Sequence, residues 1–192
     1  MCAIVAVSVF SLALIVERLI YFLRLPTDEA VVDALERALD DGELPEAVAQ
    51  RLNESGPVTT VVTAALSHWR HGVDGVAEAI NFAGNRAVED MEKHLGGLAM
   101  VAQGAPLLGL LGTVTGMIET FMRIEQLGGQ VDPSGLAGGI WEALLTTAAG
   151  LVVAVPALFA YHAFQSRVDR WVGLIQDTGQ RLIALRREWE EG

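Results

Sequence analysis

The sequence predicts an all-α membrane protein: three transmembrane helices, two of them extended into the cytoplasm, plus short cytoplasmic helices. Uncharged runs from Leu95 to Ile118 and from Ala143 to Ser166 are each long enough for the ~20 residues of a bilayer crossing. With 52% hydrophobic residues and a mean hydropathy of +0.39, the 192-residue chain is more apolar than an ordinary soluble domain. Its acidity is concentrated. Between Pro26 and Gly97 stand 14 Asp and Glu against 5 Lys and Arg, so most of the net charge of -11 lies in one polar insert.

The first span takes residues 1–25. Its uncharged part, Met1 to Val16, is short, and it crosses fully only if the helix continues through Glu17 and Arg18 into LIYFL, with Arg18 reaching the headgroups by its long stem. A cleaved signal peptide is the competing reading, but such peptides carry positive charge before the apolar run, whereas Arg18 and Arg24 follow it. Residues 26–94 form the acidic helical insert. Val31, Ala34, Leu35, Ala38 and Leu39 recur at helical spacing behind a Thr27 or Asp28 cap and stop at Gly42; Pro45 starts a second short helix that NESGP ends. Val58, Val61, Val62, Ala65, Leu66 and Trp69 make a third stripe, interrupted at Gly72. From Asp74 the stripe Ala77, Ile80, Gly84, Ala87, Val88, Met91, Leu95 meets no strong breaker, which predicts one long helix leading into the second span, residues 95–121. Residues 122–137 are a short connection, rich in Gly and with Pro133. The third span takes residues 138–165. Residues 166–192 prolong it as a helical tail, since Val168, Trp171, Leu174, Ile175, Leu182 and Leu185 keep the period among charges.

Charge sets the direction. Arg18, Arg24, Arg86, Lys93, Arg167 and Arg170 flank span ends on one side, and the connection after Ile118 offers only Arg123. The positive-inside rule then has the N-terminus and residues 122–137 facing out, and the insert and C-terminus in the cytoplasm. Several function classes fall away. Cys2 is the one cysteine, so there is no disulfide framework and no cysteine metal site. Clustered Lys and Arg for nucleic acid and a GxxxxGK[ST] phosphate loop are both absent. His68 and His71, spaced i, i+3, lack a third ligand in reach by sequence; neither metal nor cofactor is expected.

The spans carry a pattern of small and hydroxyl residues. Ala105, Gly109, Gly112 and Gly116 share one side of the second span, and Ala143, Thr147, Gly150 and Ala154 repeat the device in the third, which suits close helix packing. Pro106 and Pro156 lie inside the spans, as flex points or tolerated kinks. The two spans are antiparallel, and Glu119 and Glu142 mark their outer ends. Thr113 lies six residues inside Glu119 and Thr147 five inside Glu142, roughly 9 and 7.5 Å at 1.5 Å per residue, which brings the two hydroxyls to one layer. Each Thr could simply bond its own i-4 carbonyl. Glu142 could be an interfacial charge beside Trp141 or part of a proton or cation pathway, since carboxylates near the apolar region usually face a cavity or partner. His94 and His162 fall near the inner boundary, as interface residues or as a protonatable pair at a pathway exit.

APLLGLLGTVTGMIETF (Ala105 to Phe121) and GGIWEALLTTAAGLVVAVPALFAYH (Gly138 to His162) resemble the proton-channel family of ExbB, TolQ and MotA, and are closest to ExbB, then TolQ. The resemblance covers the second and third spans; in the insert it extends only to length and helical character. It implies a bacterial inner-membrane subunit, not an enzyme, that forms a ring of five copies around the helices of an ExbD- or TolR-like single-span partner bearing an essential Asp. A TonB- or TolA-like energy transducer would complete the system. The family's polar pathway maps onto Thr113, Glu142 and Thr147, with Thr146 and His162 at positions where the family often has Ala and Asn. The work energised would be TonB-dependent uptake, with Tol-Pal envelope maintenance or a non-conducting helical scaffold as the alternatives. Family members often carry residues ahead of the first span, whereas this chain starts almost inside it, which points to an incomplete or unusual N-terminus.

Overall fold

The computed structural model describes residues 2–25, 56–126 and 133–191. In chain order they form α1 (Cys2–Arg24), α2 (Pro57–Ser67), a 3-10 turn (Trp69–His71), α3 (Gly72–Glu92), α4 (Leu95–Gln126) and α5 (Pro133–Glu191). Three helical runs, Ala3–Arg24, Trp69–Gln126 and Pro133–Glu191, are long and apolar enough to cross a membrane. The helices expected around Val31–Leu39 and after Pro45 lie outside the described residues. Helical structure also reaches into both ends of the connection read as residues 122–137, with α4 continuing to Gln126 and α5 beginning at Pro133.

The chain divides into two compact units. The first comprises residues 1–19 and 94–164. Its buried positions follow helical periods: Leu95, Leu98, Ala102, Ala105 and Gly109 on α4, and Ala143, Thr146, Gly150, Ala154, Ala157 and Phe164 on α5. Val101, Ala102, Ala105, Ala154 and Ala157 form one core cluster, on which Val7 of α1 packs. The seam between α4 and α5 is built from residues without bulk. A Cβ at Gly150 would stand 2.6 Å from the Ala105 carbonyl oxygen, and one at Gly109 would stand 3.0 Å from Thr147 Cα. Such approaches give backbone-to-backbone dispersion contact, the main packing force when lipid removes the hydrophobic one. Both helices run through their prolines, Pro106 and Pro156, without losing helical structure.

The second unit comprises residues 20–93 and 165–192. Here one face of α2 is enclosed: Val58, Val61, Val62 and Ala65 expose none of their surface, and neither do Val76 and Met91 of α3 or Val168 and Leu182 of α5. Gly84 and Gly179 mark close approach, because a Cβ at either would meet Ile175 at 3.2 Å or Ile80 at 2.8 Å. At the far end of α5, Arg186 Nε donates to the Trp69 carbonyl (2.8 Å), and Glu190 accepts from the Val73 N–H (3.1 Å) and pairs with Arg186 (3.1 Å). Val73 is in the first turn of α3, so Glu190 meets one of the orphan donors there and the positive end of the helix dipole.

The single helix expected from Asp74 into the second span is broken. Lys93 is extended (φ -50, ψ 134) and His94 is left-handed (φ +66); the ladder resumes when the His94 carbonyl accepts the Gly97 and Leu98 N–H groups at 3.1 and 3.3 Å. Gly96 and Gly97 lower helix propensity immediately after the break. Arg18 also departs from its expected reach toward the headgroups. It is 3% exposed and bonds the neighbouring Glu17 carboxylate at 2.7 Å through Nε and 2.6 Å through Nη2. A guanidinium taken out of water needs such a paired carboxylate, and a fork-to-carboxylate geometry supplies it.

Candidate functional site

In the first unit, α4 and α5 bring three threonines together. The Thr113 hydroxyl is hydrogen-bonded to that of Thr147. It also lies 3.2 Å from both the Gly109 and the Ala143 carbonyl oxygens. Thr147 Oγ1 reaches the Gly109 carbonyl at 3.0 Å, and Thr146 Oγ1 reaches the Ala143 and Gly109 carbonyls at 2.7 and 3.3 Å. Two carbonyls thus serve three hydroxyls, each of which can donate one proton and accept others. The absence of side chains at Gly109 and Gly112 makes this convergence possible: a Cβ on Gly112 would meet Thr146 Oγ1 at 2.6 Å. Gly116 has the same role a turn further along, 3.0 Å from Ala143 Cβ by the same measure.

Glu142 stands apart from the hydroxyl layer. It is exposed and lines a cavity of about 230 Å³ together with Glu119, Arg123, Thr115, Thr120 and Thr146. Thr146, 8% exposed, is common to the cavity wall and the hydroxyl cluster. Thr120 keeps its hydroxyl on the Gly116 carbonyl at 2.8 Å. Thr115, Thr120 and Arg123 are cavity residues that sequence reasoning missed. A signal was present, since Glu119 and Arg123 are an i, i+4 pair on one helix face and Thr120 follows Gly116 by one turn.

The remaining candidates are placed elsewhere. His162 is exposed, its ring 5.2 Å from that of Tyr161, while His94 Nδ1 lies 3.1 Å from Glu17 Oε2. His68 bonds Ser67 Oγ and the Ala64 carbonyl, both at 3.0 Å, and no group of three His, Cys, Asp or Glu suited to a metal occurs among the described residues.

Known proteins give this geometry a context. Residues 53–177 match the MotA/TolQ/ExbB proton channel family. A biopolymer transport protein of the ExbB-like 1 type from Synechocystis is 30% identical over 196 residues, covering all of this chain and 77% of that protein. An ExbB homolog from Methanothermobacter thermautotrophicus is 27% identical over 175 residues, 90% of this chain and 62% of the relative. The Tol-Pal system protein TolQ of Haemophilus influenzae is 40% identical over 97 residues, 50% of this chain and 42% of its own. The chain therefore spans less than two thirds of the last two relatives. A family match over residues 53–177, with a 30% identical relative along the whole length, means that the chain belongs to the MotA/TolQ/ExbB proton channel family, whose members are transport proteins of the membrane and not enzymes.

Proposed function

We propose that this chain is an ExbB-like subunit of a bacterial inner membrane. With an ExbD/TolR-like single-span partner it passes protons and converts the proton motive force into mechanical work for TonB-dependent outer-membrane uptake. The observation that carries the proposal is the hydroxyl layer in which Thr113 and Thr147 bond each other across two apolar helices. Hydroxyls that both donate and accept are the elements a relay needs, and a buried Thr146 beside the half-buried Thr113 and Thr147 has no packing rationale that Ala or Val would not serve. Thr113, Thr147 and bound water hand protons to the partner's acid. Glu142, in a cavity that it shares with Glu119, sets the entrance, and Thr146 links that cavity to the layer. A charge crossing 100 mV releases about 2.3 kcal/mol, which becomes work only if proton transfer is tied to a change of helix arrangement. Small-residue interfaces between the ring and the partner's central helices would permit sliding or rotation. In this reading the N-terminus is periplasmic, the C-terminus is cytoplasmic, and copies of the chain form a pentameric ring around the partner's helices.

The test is proton flux into liposomes containing the chain and its partner, driven by a potassium diffusion potential and read with a pH-sensitive dye. Thr147→Val and Thr113→Val each lower the flux several-fold, and Glu142→Gln lowers it less; variants that conduct like the parent would remove these residues from the pathway. Absence of flux in the parent selects the non-conducting scaffold instead. The identity with the Haemophilus TolQ favours Tol-Pal maintenance as the second reading. Rescue of an uptake-deficient strain and of an envelope-leaky strain, compared side by side, separates the two.

A further inference from the structure

At the end of the first unit remote from the hydroxyl layer, three ionisable groups are joined. Nineteen residues separate His94 from Thr113, about 28 Å of chain at 1.5 Å per residue. The His94 imidazole presents Nδ1 to Glu17 Oε2 at 3.1 Å, and the buried Arg18 guanidinium holds both oxygens of that carboxylate at 2.6 and 2.7 Å. His94 and Glu17 are each a little over 40% exposed, so the pair meets water while its anchor does not. The contact is built by more than the pair itself. A Cβ on Gly97 would stand 2.9 Å from Leu14, so α1 and the first turn of α4 are held against each other beside it. His94 is the one non-glycine residue with positive φ among the described residues, and such a conformation persists where surrounding contacts over-determine it.

We infer that Glu17 and His94 form a second proton-accepting site for the transport reaction, at the opposite end of the helices from the hydroxyl layer, where protons are exchanged with water. This rests on the proton-conducting reading above. Imidazole takes a proton on its free ring nitrogen and becomes imidazolium, with the Glu17 carboxylate accepting its Nδ1–H; loss of a proton to water restores the neutral ring. No other species is consumed. The charged groups in contact with the imidazole and its partner are Glu17 and, behind it on α1, Arg18; Lys93 precedes His94 in the chain. Arg18 acts as a positioning residue, keeping the carboxylate aimed at the ring.

The test uses the full chain with its partner in liposomes, with flux measured as the pH of the compartment facing His94 is varied. His94→Asn removes the titrating ring while tolerating the left-handed backbone. Glu17→Gln leaves the His94 backbone untouched and is the second route if His94→Asn fails to assemble. The inference expects a several-fold loss of flux in His94→Asn together with disappearance of the pH step on that side only. It expects Glu17→Gln to lower the flux as well, because the ring loses the carboxylate that orients it. His68→Gln, in the other unit, leaves the profile unchanged. If both variants retain the parent's rate and pH profile while Thr147→Val loses flux, the second site is refuted and the hydroxyl pathway stands. If the parent itself does not conduct, both are refuted.

Discussion

Single side chains decide how closely α4 and α5 approach, and glycine decides most. At Gly150 an added Cβ would press on the backbone oxygen of Ala105 at 2.6 Å, a contact that no rotamer change relieves. Gly150→Ala therefore forces the helices apart, at a cost of about 1–3 kcal/mol, and should lower the temperature at which purified protein loses helicity in detergent. At Gly173 a Cβ meets nothing, and Gly173→Ala serves as the control. The same reasoning bears on what could be read from sequence. Helical rise is nearly invariant, so counting inward from Glu119 and Glu142 brings Thr113 and Thr147 to one level, and the structure has the two hydroxyls bonded. Counting along a helix says nothing of azimuth between neighbours, which is why Thr120 and Arg123 were not connected with Glu142.

Among the elements, the helices of the spans were legible and the joints between them were not. Small residues at i, i+4 and i+7 identify the seam because only one face of each helix can carry it. The break at Lys93–His94 has no Gly or Pro at the break itself to announce it. Its stabilising partner, Glu17, is 77 residues away in sequence, and local patterns cannot contain that information. The start of α3 is a joint of another kind, where Glu190 caps the first turn from the far end of α5 and Gly72 takes a φ of +78. Glu190→Ala should weaken this unit by about 0.5–2 kcal/mol, in the range of a lost cap. Hydrogen exchange at Val73 reads the effect directly, with faster exchange expected there and little change along α4.

For the whole molecule, charge placement predicts the direction in the membrane, and thiol labelling tests it. The chain has a single native cysteine, so with Cys2→Ser a thiol can be placed at will. Gly138 and Gly173 are suitable sites, because a Cβ at either meets nothing within 4 Å. In intact cells whose outer membrane has been made permeable, an impermeant maleimide should label Gly138→Cys and leave Gly173→Cys unlabelled until the inner membrane is opened. The reverse pattern would invert the topology.

The convergence of three hydroxyls on the Gly109 and Ala143 carbonyls has a kinetic implication for any proton that passes there. Each O–H points one way at a time, so the cluster has a handedness that a passing proton leaves reversed. Before the next proton can follow in the same direction, the hydroxyls must turn back, Thr113 and Thr146 exchanging one carbonyl for the other and Thr147 turning between the Gly109 carbonyl and Thr113. Conduction through this layer would then have a dead time set by rotation of hydroxyls and not by arrival of protons. Flux in heavy water, compared at low and at saturating driving force, would distinguish the two regimes.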